Sequence, residues 1–362
     1  MDILRAMAII IIVFIHTFNY FSFCFFYEFL VPLYNWIVLI ALNLFFFVSG
    51  YVLYYNYPKI SSKTLKNFYY KRFKRIYPLY WFTIILGFGL SFFLPFWNKM
   101  SLAALLIVLL GLQGIFPPWV PDAKTLYWLW FVGVLLVYYL IYPFFTQSKN
   151  IIHVFLAALF AYLIILLLNI KLGIMEPLTN FYWVFFLGIA LCWFNENYKS
   201  LKFNFNELFS RNNQKKLSLI YTVPILLIIL IMFIYSKYKL YHQFDVTLEL
   251  VFSTILVYLF VKIGVQCITK INKVFFQSKT YDLIKKISIS SYATYLIHPI
   301  IFSFFKEIFL ISNISESSTN FLMVFLVFPL TFLTGYYLQV NELNLLENFQ
   351  NIKVLKLKKH EK

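Results

Sequence analysis

The sequence predicts an all-α, polytopic membrane helix bundle: about ten transmembrane helices, one re-entrant segment, and both ends in the cytoplasm. Three observations lead there: the composition, the apolar runs of crossing length, and the sidedness of the basic residues. Of the 362 residues, 62% are apolar or aromatic and only 12% are charged, where a soluble domain has roughly 45–50% and about 25%. A cytosolic enzyme, a secreted disulfide framework and a disordered chain are excluded, and lipid is left as the solvent. Cys24, Cys192 and Cys267 lie far apart in or beside apolar runs, with neither metal nor disulfide spacing. They read as small buried residues, and no metal site is indicated.

A crossing helix needs roughly 17–25 apolar residues. Runs of that order stand at 3–22, 33–55, 77–96, 126–146, 151–170, 178–194, 217–235, 246–263, 288–310 and 319–340. The first follows a single charged tip and has no small-residue cleavage site, so it reads as a retained span. A further run, 101–115, is short and ends in Phe116-Pro117-Pro118-Trp119-Val120-Pro121, through which no helix continues. Charge decides its status, because excess Lys and Arg mark cytoplasmic loops. With the first residue inside, only Lys99, Lys124, Lys171, Lys237, Lys239 and Lys306 fall outside, and the rest of the 31 basic residues fall inside. A full crossing at 101–115 would swap every later loop and erase that bias. The run therefore reads as re-entrant or lying in the outer leaflet, and 97–125 as a lid or cavity wall. Residues 1–340 form the membrane domain and 341–362 a basic cytoplasmic tail. The net charge of +17 is a set of topology signals facing anionic lipid, not a nucleic-acid surface. The expected location is the plasma membrane, crossed many times, with lipids as partners.

Ionisable groups inside a span are costly and are functional candidates by default. The first span carries Arg5 and His16. Their spacing puts both on one helix face, about 16 Å apart along the axis, and Asp2 and Asn19 extend the stripe. A fixed cation thus sits at the cytoplasmic mouth and an imidazole at depth. Arg72 and Arg75, three apart at the start of the third span, suit either a bidentate phosphate grip or a positive-inside anchor. The run 288–310 holds Ser288, Ser290, Ser291, Tyr292, Tyr295 and His298, followed by Pro299. Ser291 and His298 share a face, and His298 reaches a depth similar to His16, about 15 Å above the cytoplasmic rim. Pro299 frees a backbone carbonyl one turn back. Asn43, Ser49, Gly50, Gln113 and Asn169 are the other polar or small residues within runs, and the many Tyr and Trp near rims fit an interfacial belt. No Gly-rich phosphate loop, HExxH or nucleophile elbow is present.

Together these residues resemble acyltransferase family 3, integral membrane O-acyltransferases. Asp2-Ile3-Leu4-Arg5-Ala6-Met7-Ala8 continuing to His16 resembles the family's opening motif. Phe45-Phe46-Phe47-Val48-Ser49-Gly50-Tyr51 is similar to its second-span signature. Arg72-Phe73-Lys74-Arg75-Ile76-Tyr77-Pro78-Leu79-Tyr80-Trp81 resembles its Arg-x-x-Arg motif, and Trp130 through Tyr138-Tyr139 to Pro143 another. Ser291-Tyr292-Ala293-Thr294-Tyr295-Leu296-Ile297-His298-Pro299 looks like its late motif. One departure stands out: many members carry Glu where this chain has Leu135, which hints at a divergent subfamily with a different acceptor. The extracytoplasmic SGNH-type domain fused to some members is not expected.

The resemblance implies transfer of an acyl group, most often acetyl, from cytoplasmic acyl-CoA to a hydroxyl of a cell-surface glycan or lipid-linked sugar. Acyl-CoA would be a co-substrate, and no bound cofactor is implied. Arg72 and Arg75 would hold donor phosphates, and Arg5 would receive the thioester end. His16 would act as general base or transient acyl carrier, with Ser291, His298, Ser49 and Asn19 on the pathway or supporting the site. The competing expectation is a polysaccharide exporter or translocation partner that uses the same cavity without chemistry.

Overall fold

The computed structural model describes the backbone of residues 1–20, 24–90, 101–112, 126, 128–146, 151–172, 176–197 and 278–360. Among these the chain is helical throughout, without strands. In hydrocarbon every backbone polar group must be satisfied within its own segment, and the helix does this. The elements are α1 (Asp2–Tyr20), α2 (Cys24–Asn56), α3 (Ser62–Leu90), α4 (Leu102–Leu109), α5 (Trp130–Phe145), α6 (Ile151–Leu172), α7 (Glu176–Asn180), α8 (Tyr182–Asn197), α9 (Lys279–Ile311), α10 (Glu316–Leu322) and α11 (Phe328–His360). A π-helical turn, Met323–Val327, joins the last two. Among the described residues, five helical stretches are long and apolar enough to cross a membrane: Trp36–Asn56, Ile152–Lys171, Leu178–Glu196, Lys279–Ile311 and Glu316–Leu346. The expected spans 217–235 and 246–263 lie outside the described residues, as do Gln113, Pro117, Pro118, Pro121 and Cys267.

Two boundaries differ from the sequence reading. The basic stretch before the third span is itself helical from Ser62, because Ser61 and Thr64 satisfy each other's polar groups at its start. The last span's helix likewise extends past the run that ends at 340, since α11 runs unbroken through 341–360. The short run 101–115 contains one eight-residue helix, α4. Its N-terminus is capped by Ser101, which accepts from the Ala104 N–H, and it stops where Gly111 takes φ +75. Glycine alone adopts that angle at no steric cost. Eight residues rise about 12 Å, well short of the roughly 30 Å core.

Packing runs in sequence through α8, α2, α1, α9 and α11, with α3 against α5, α9 and α11. Two glycines bring α2 and α8 into backbone contact. A Cβ on Gly50 would fall 2.1 Å from the Phe185 carbonyl oxygen, and one on Gly188 2.2 Å from that of Phe47. Small residues at such a crossing are the membrane route to close packing. α6 has an apolar outer face, with Ile152, Phe155, Leu156, Phe160, Leu167 and Ile170 exposed, as suits lipid.

Four tyrosines lie inside the bundle. Tyr80, Tyr138, Tyr142 and Tyr182 are fully buried. Each donates its hydroxyl to a carbonyl distant in sequence, three on another helix and one in the link after α2: Tyr80 to Val108 at 2.6 Å, Tyr138 to Leu178 at 2.8 Å, Tyr182 to Ala158 at 2.7 Å and Tyr142 to Tyr57 at 2.7 Å. A buried hydroxyl needs a partner, so these phenols join helices by polar ties inside an apolar core.

Candidate functional site

A cavity of about 320 Å³ opens among α1, α2, α3, α5 and α9, within the range of small-molecule sites, roughly 300–1,000 Å³. Three arginines enter it from two helices: Arg5 from α1, and Arg72 and Arg75 from α3. The i, i+3 spacing on a continuous helix lets Arg72 and Arg75 share one face. No Asp or Glu is among the described residues lining the space. The cavity therefore suits an anion.

Arg72 is held before any ligand arrives. Its guanidinium carbon lies 5.0 Å from the centre of the Tyr57 ring and 5.9 Å from those of Phe68 and Tyr139, within cation–π reach. One terminal nitrogen donates to the Tyr57 hydroxyl at 3.2 Å, and Tyr57 is fixed in turn through its carbonyl by Tyr142. Among the described residues the buried Arg72 Nε finds no acceptor. Arg75 is more exposed.

On α9 the cavity wall is a stripe: Ser288, Ser291, Tyr292 and Tyr295. Ser288 donates to Asp2 at 3.0 Å and ties α9 to the start of α1. Tyr292 donates to the Ile76 carbonyl at 2.9 Å and ties α9 to α3. Tyr295, whose hydroxyl donates to the Trp128 carbonyl, closes the inner end together with Phe131 of α5; their rings are 5.2 Å apart.

One turn beyond Tyr295 the two histidines meet. His298 Nε2 lies 3.1 Å from His16 Nδ1, and the rings are 4.8 Å apart, tilted by 44°. His298 is fully buried. Its Nδ1 lies 2.8 Å from the Tyr295 carbonyl oxygen, and His16 Nδ1 lies 3.0 Å from that of Ile12.

The residues singled out from sequence thus fall into two groups. Arg5, Arg72, Arg75, Ser49 and Ser291 line the cavity. His16 and His298 form a pair just past its inner end and are not among its lining residues. The Asn19 side chain lies outside the described residues. Leu135, noted in the sequence as a departure from the family pattern, lines the cavity from α5. Sequence reasoning missed the aromatic cradle of Arg72. Tyr139 stood in a quoted motif, but nothing local in the sequence pairs it with Tyr57 and Phe68.

The sequence pattern of the acyltransferase domain of family 3 matches residues 1–340. The chain belongs to acyltransferase family 3. No curated protein and no solved structure matches it significantly. As a member of acyltransferase family 3 the protein is a membrane acyltransferase in the broad sense. Within this acyltransferase the cavity-lining Tyr295 and His298 lie one turn apart on α9, and His16 meets His298 from α1.

Proposed function

We propose that the protein is a plasma-membrane O-acyltransferase that moves an acyl group, most simply acetyl, from cytoplasmic acyl-CoA to a hydroxyl of a cell-surface glycan or lipid-linked sugar. The observation that carries this reading is a cavity with three arginines and no carboxylate among its described lining, leading toward two touching histidines. A CoA donor brings phosphates for the arginines and a thioester for the far end. Arg72 and Arg75 hold the phosphates, and Arg5 attracts the donor at the inner mouth. His16 removes the proton from the acceptor hydroxyl as its oxygen attacks the thioester carbon. The C–S bond breaks, and the CoA thiolate leaves with the proton that His16 gives up. General-base help of this kind contributes about 10²–10⁴ in rate.

Export without chemistry is the second reading, and Leu135 favours it, because an apolar wall replaces a group that would relay a proton. Mass spectrometry of surface glycans with and without the intact gene separates the two. An acyl mass difference at unchanged glycan yield is expected, whereas loss of surface glycan with no mass difference would establish export. In membranes given radiolabelled acetyl-CoA, His16→Ala is expected to abolish transfer while the protein still inserts; unchanged transfer would remove His16 from the chemistry.

A further inference from the structure

We infer that His298 is a positioning residue that fixes which nitrogen of His16 is free to react, and that Pro299 makes this possible. The inference rests on the acyl-transfer reading and names the reacting atom within it. In an α-helix the N–H of residue i bonds the carbonyl of residue i−4. Proline has no N–H, so Pro299 leaves the Tyr295 carbonyl without its helical donor. The space is filled by His298, whose Nδ1 lies 2.8 Å from that oxygen. A carbonyl only accepts, so His298 Nδ1 carries the hydrogen. The neutral ring then has a bare Nε2, which is an acceptor.

That acceptor faces His16 Nδ1 at 3.1 Å. The other neighbour of the same nitrogen, the Ile12 carbonyl at 3.0 Å, also only accepts. His16 Nδ1 therefore bears its ring's hydrogen and shares it between the two. Of these, the Ile12 oxygen already serves the backbone N–H of His16 within α1. His298 is the partner on another element, and it is fully buried, so it cannot swing away without disturbing the packing. The consequence falls on the remaining atom: His16 Nε2 has a free lone pair and is the nitrogen that receives the acceptor's proton. When it does, the imidazolium keeps the same Nδ1–H bond, so no group needs to turn over during the step. The sequence Tyr295-x-x-His298-Pro299 and the i−4 carbonyl of α1 thus set two tautomers in series.

The test compares wild type with His298→Leu, His298→Gln and Pro299→Ala in nanodiscs, reading transfer from radiolabelled acetyl-CoA, together with side-chain nitrogen NMR of ¹⁵N-histidine-labelled protein. His298→Leu, which removes the acceptor, is expected to lower kcat on the order of 10²-fold with KM for acetyl-CoA unchanged. His298→Gln places an amide oxygen near the lost Nε2 and is expected to recover most of that loss. Pro299→Ala restores a competing N–H at the Tyr295 carbonyl and is expected to lower kcat less than His298→Leu does. The wild-type spectrum is expected to show His16 protonated at Nδ1 and bare at Nε2, a readout that stands even if His298→Leu fails to fold. Protonation at His16 Nε2, or a Gln variant no better than the Leu variant, would overturn the inference. Wild-type protein that transfers no acyl group would instead overturn the functional reading, and the spectrum would still decide the tautomer.

Discussion

Replacing Arg72 with Lys would keep the charge and lose the planar fork. An ammonium can still lie over the Tyr57 ring or donate to its hydroxyl, but it cannot present two parallel donors to a phosphate. Arg72→Lys and Arg75→Lys are each expected to weaken CoA binding roughly tenfold, about 1.4 kcal/mol. Insertion should be unchanged, since Lys63, Lys66, Lys71 and Lys74 remain as anchors. Isothermal titration with CoA checks this, and wild-type affinity in both Lys variants would reduce the pair to a topological anchor. Both arginines were visible in the sequence because three-residue spacing at a span's cytoplasmic start carries a meaning of its own. The pairing of His16 with His298 was half visible, because helix rise gave them similar depth. Their contact depended on α1 packing against α9, which no local pattern specifies.

At the scale of helices, α2 and α8 approach closely, and two glycines make this possible. Gly188→Ala would drive a Cβ to 2.2 Å from the Phe47 carbonyl oxygen and 2.9 Å from the Tyr51 nitrogen. Both are backbone atoms that cannot rotate aside, so the helices must part, at a cost of about 1–3 kcal/mol. A lower midpoint of thermal unfolding in detergent is expected. Gly89 in α3 is the control: nothing lies within 4 Å of its Cβ position. There Ala should stabilise by roughly 0.5–1 kcal/mol through helix propensity alone, raising the midpoint. Gly50 was noted in the sequence as an unusual residue within a span, yet its partner Gly188 lay unremarked in another run. The buried tyrosines were not singled out in the sequence for a related reason. Phenols near the ends of apolar runs look like rim anchors until the crossing helices place a carbonyl beside each hydroxyl.

At the scale of the molecule, apolar runs fall on helices among the described residues, because lipid leaves the backbone few alternatives. Loop structure was less legible: the helical start of α3 depends on the Ser61–Thr64 cap, a small signal beside so many lysines. The outer placement of 97–125 is a proposal that rests on the basic residues and on the short reach of α4. Lys99 and Lys124 lie outside the described residues, so labelling is the direct check. Single cysteines at positions 99 and 124 are both expected to react with an impermeant thiol reagent applied outside. Labelling at 124 only after permeabilisation would make the run a true span and invert every later loop.

The cavity's charge also bears on turnover. On the proposed function, three arginines facing a space without a carboxylate in its described lining would grip the donor's phosphates, and phosphate does not change when the acyl group leaves. Spent CoA would hold the same grip as loaded acyl-CoA. The protein should therefore be subject to product inhibition, competitive with the donor and relieved by added salt, because screening weakens long-range attraction between charges. Transfer would then respond to the ratio of acylated to free CoA in the cytoplasm rather than to the donor alone. Surface modification would slow when that ratio falls, with no regulatory domain required.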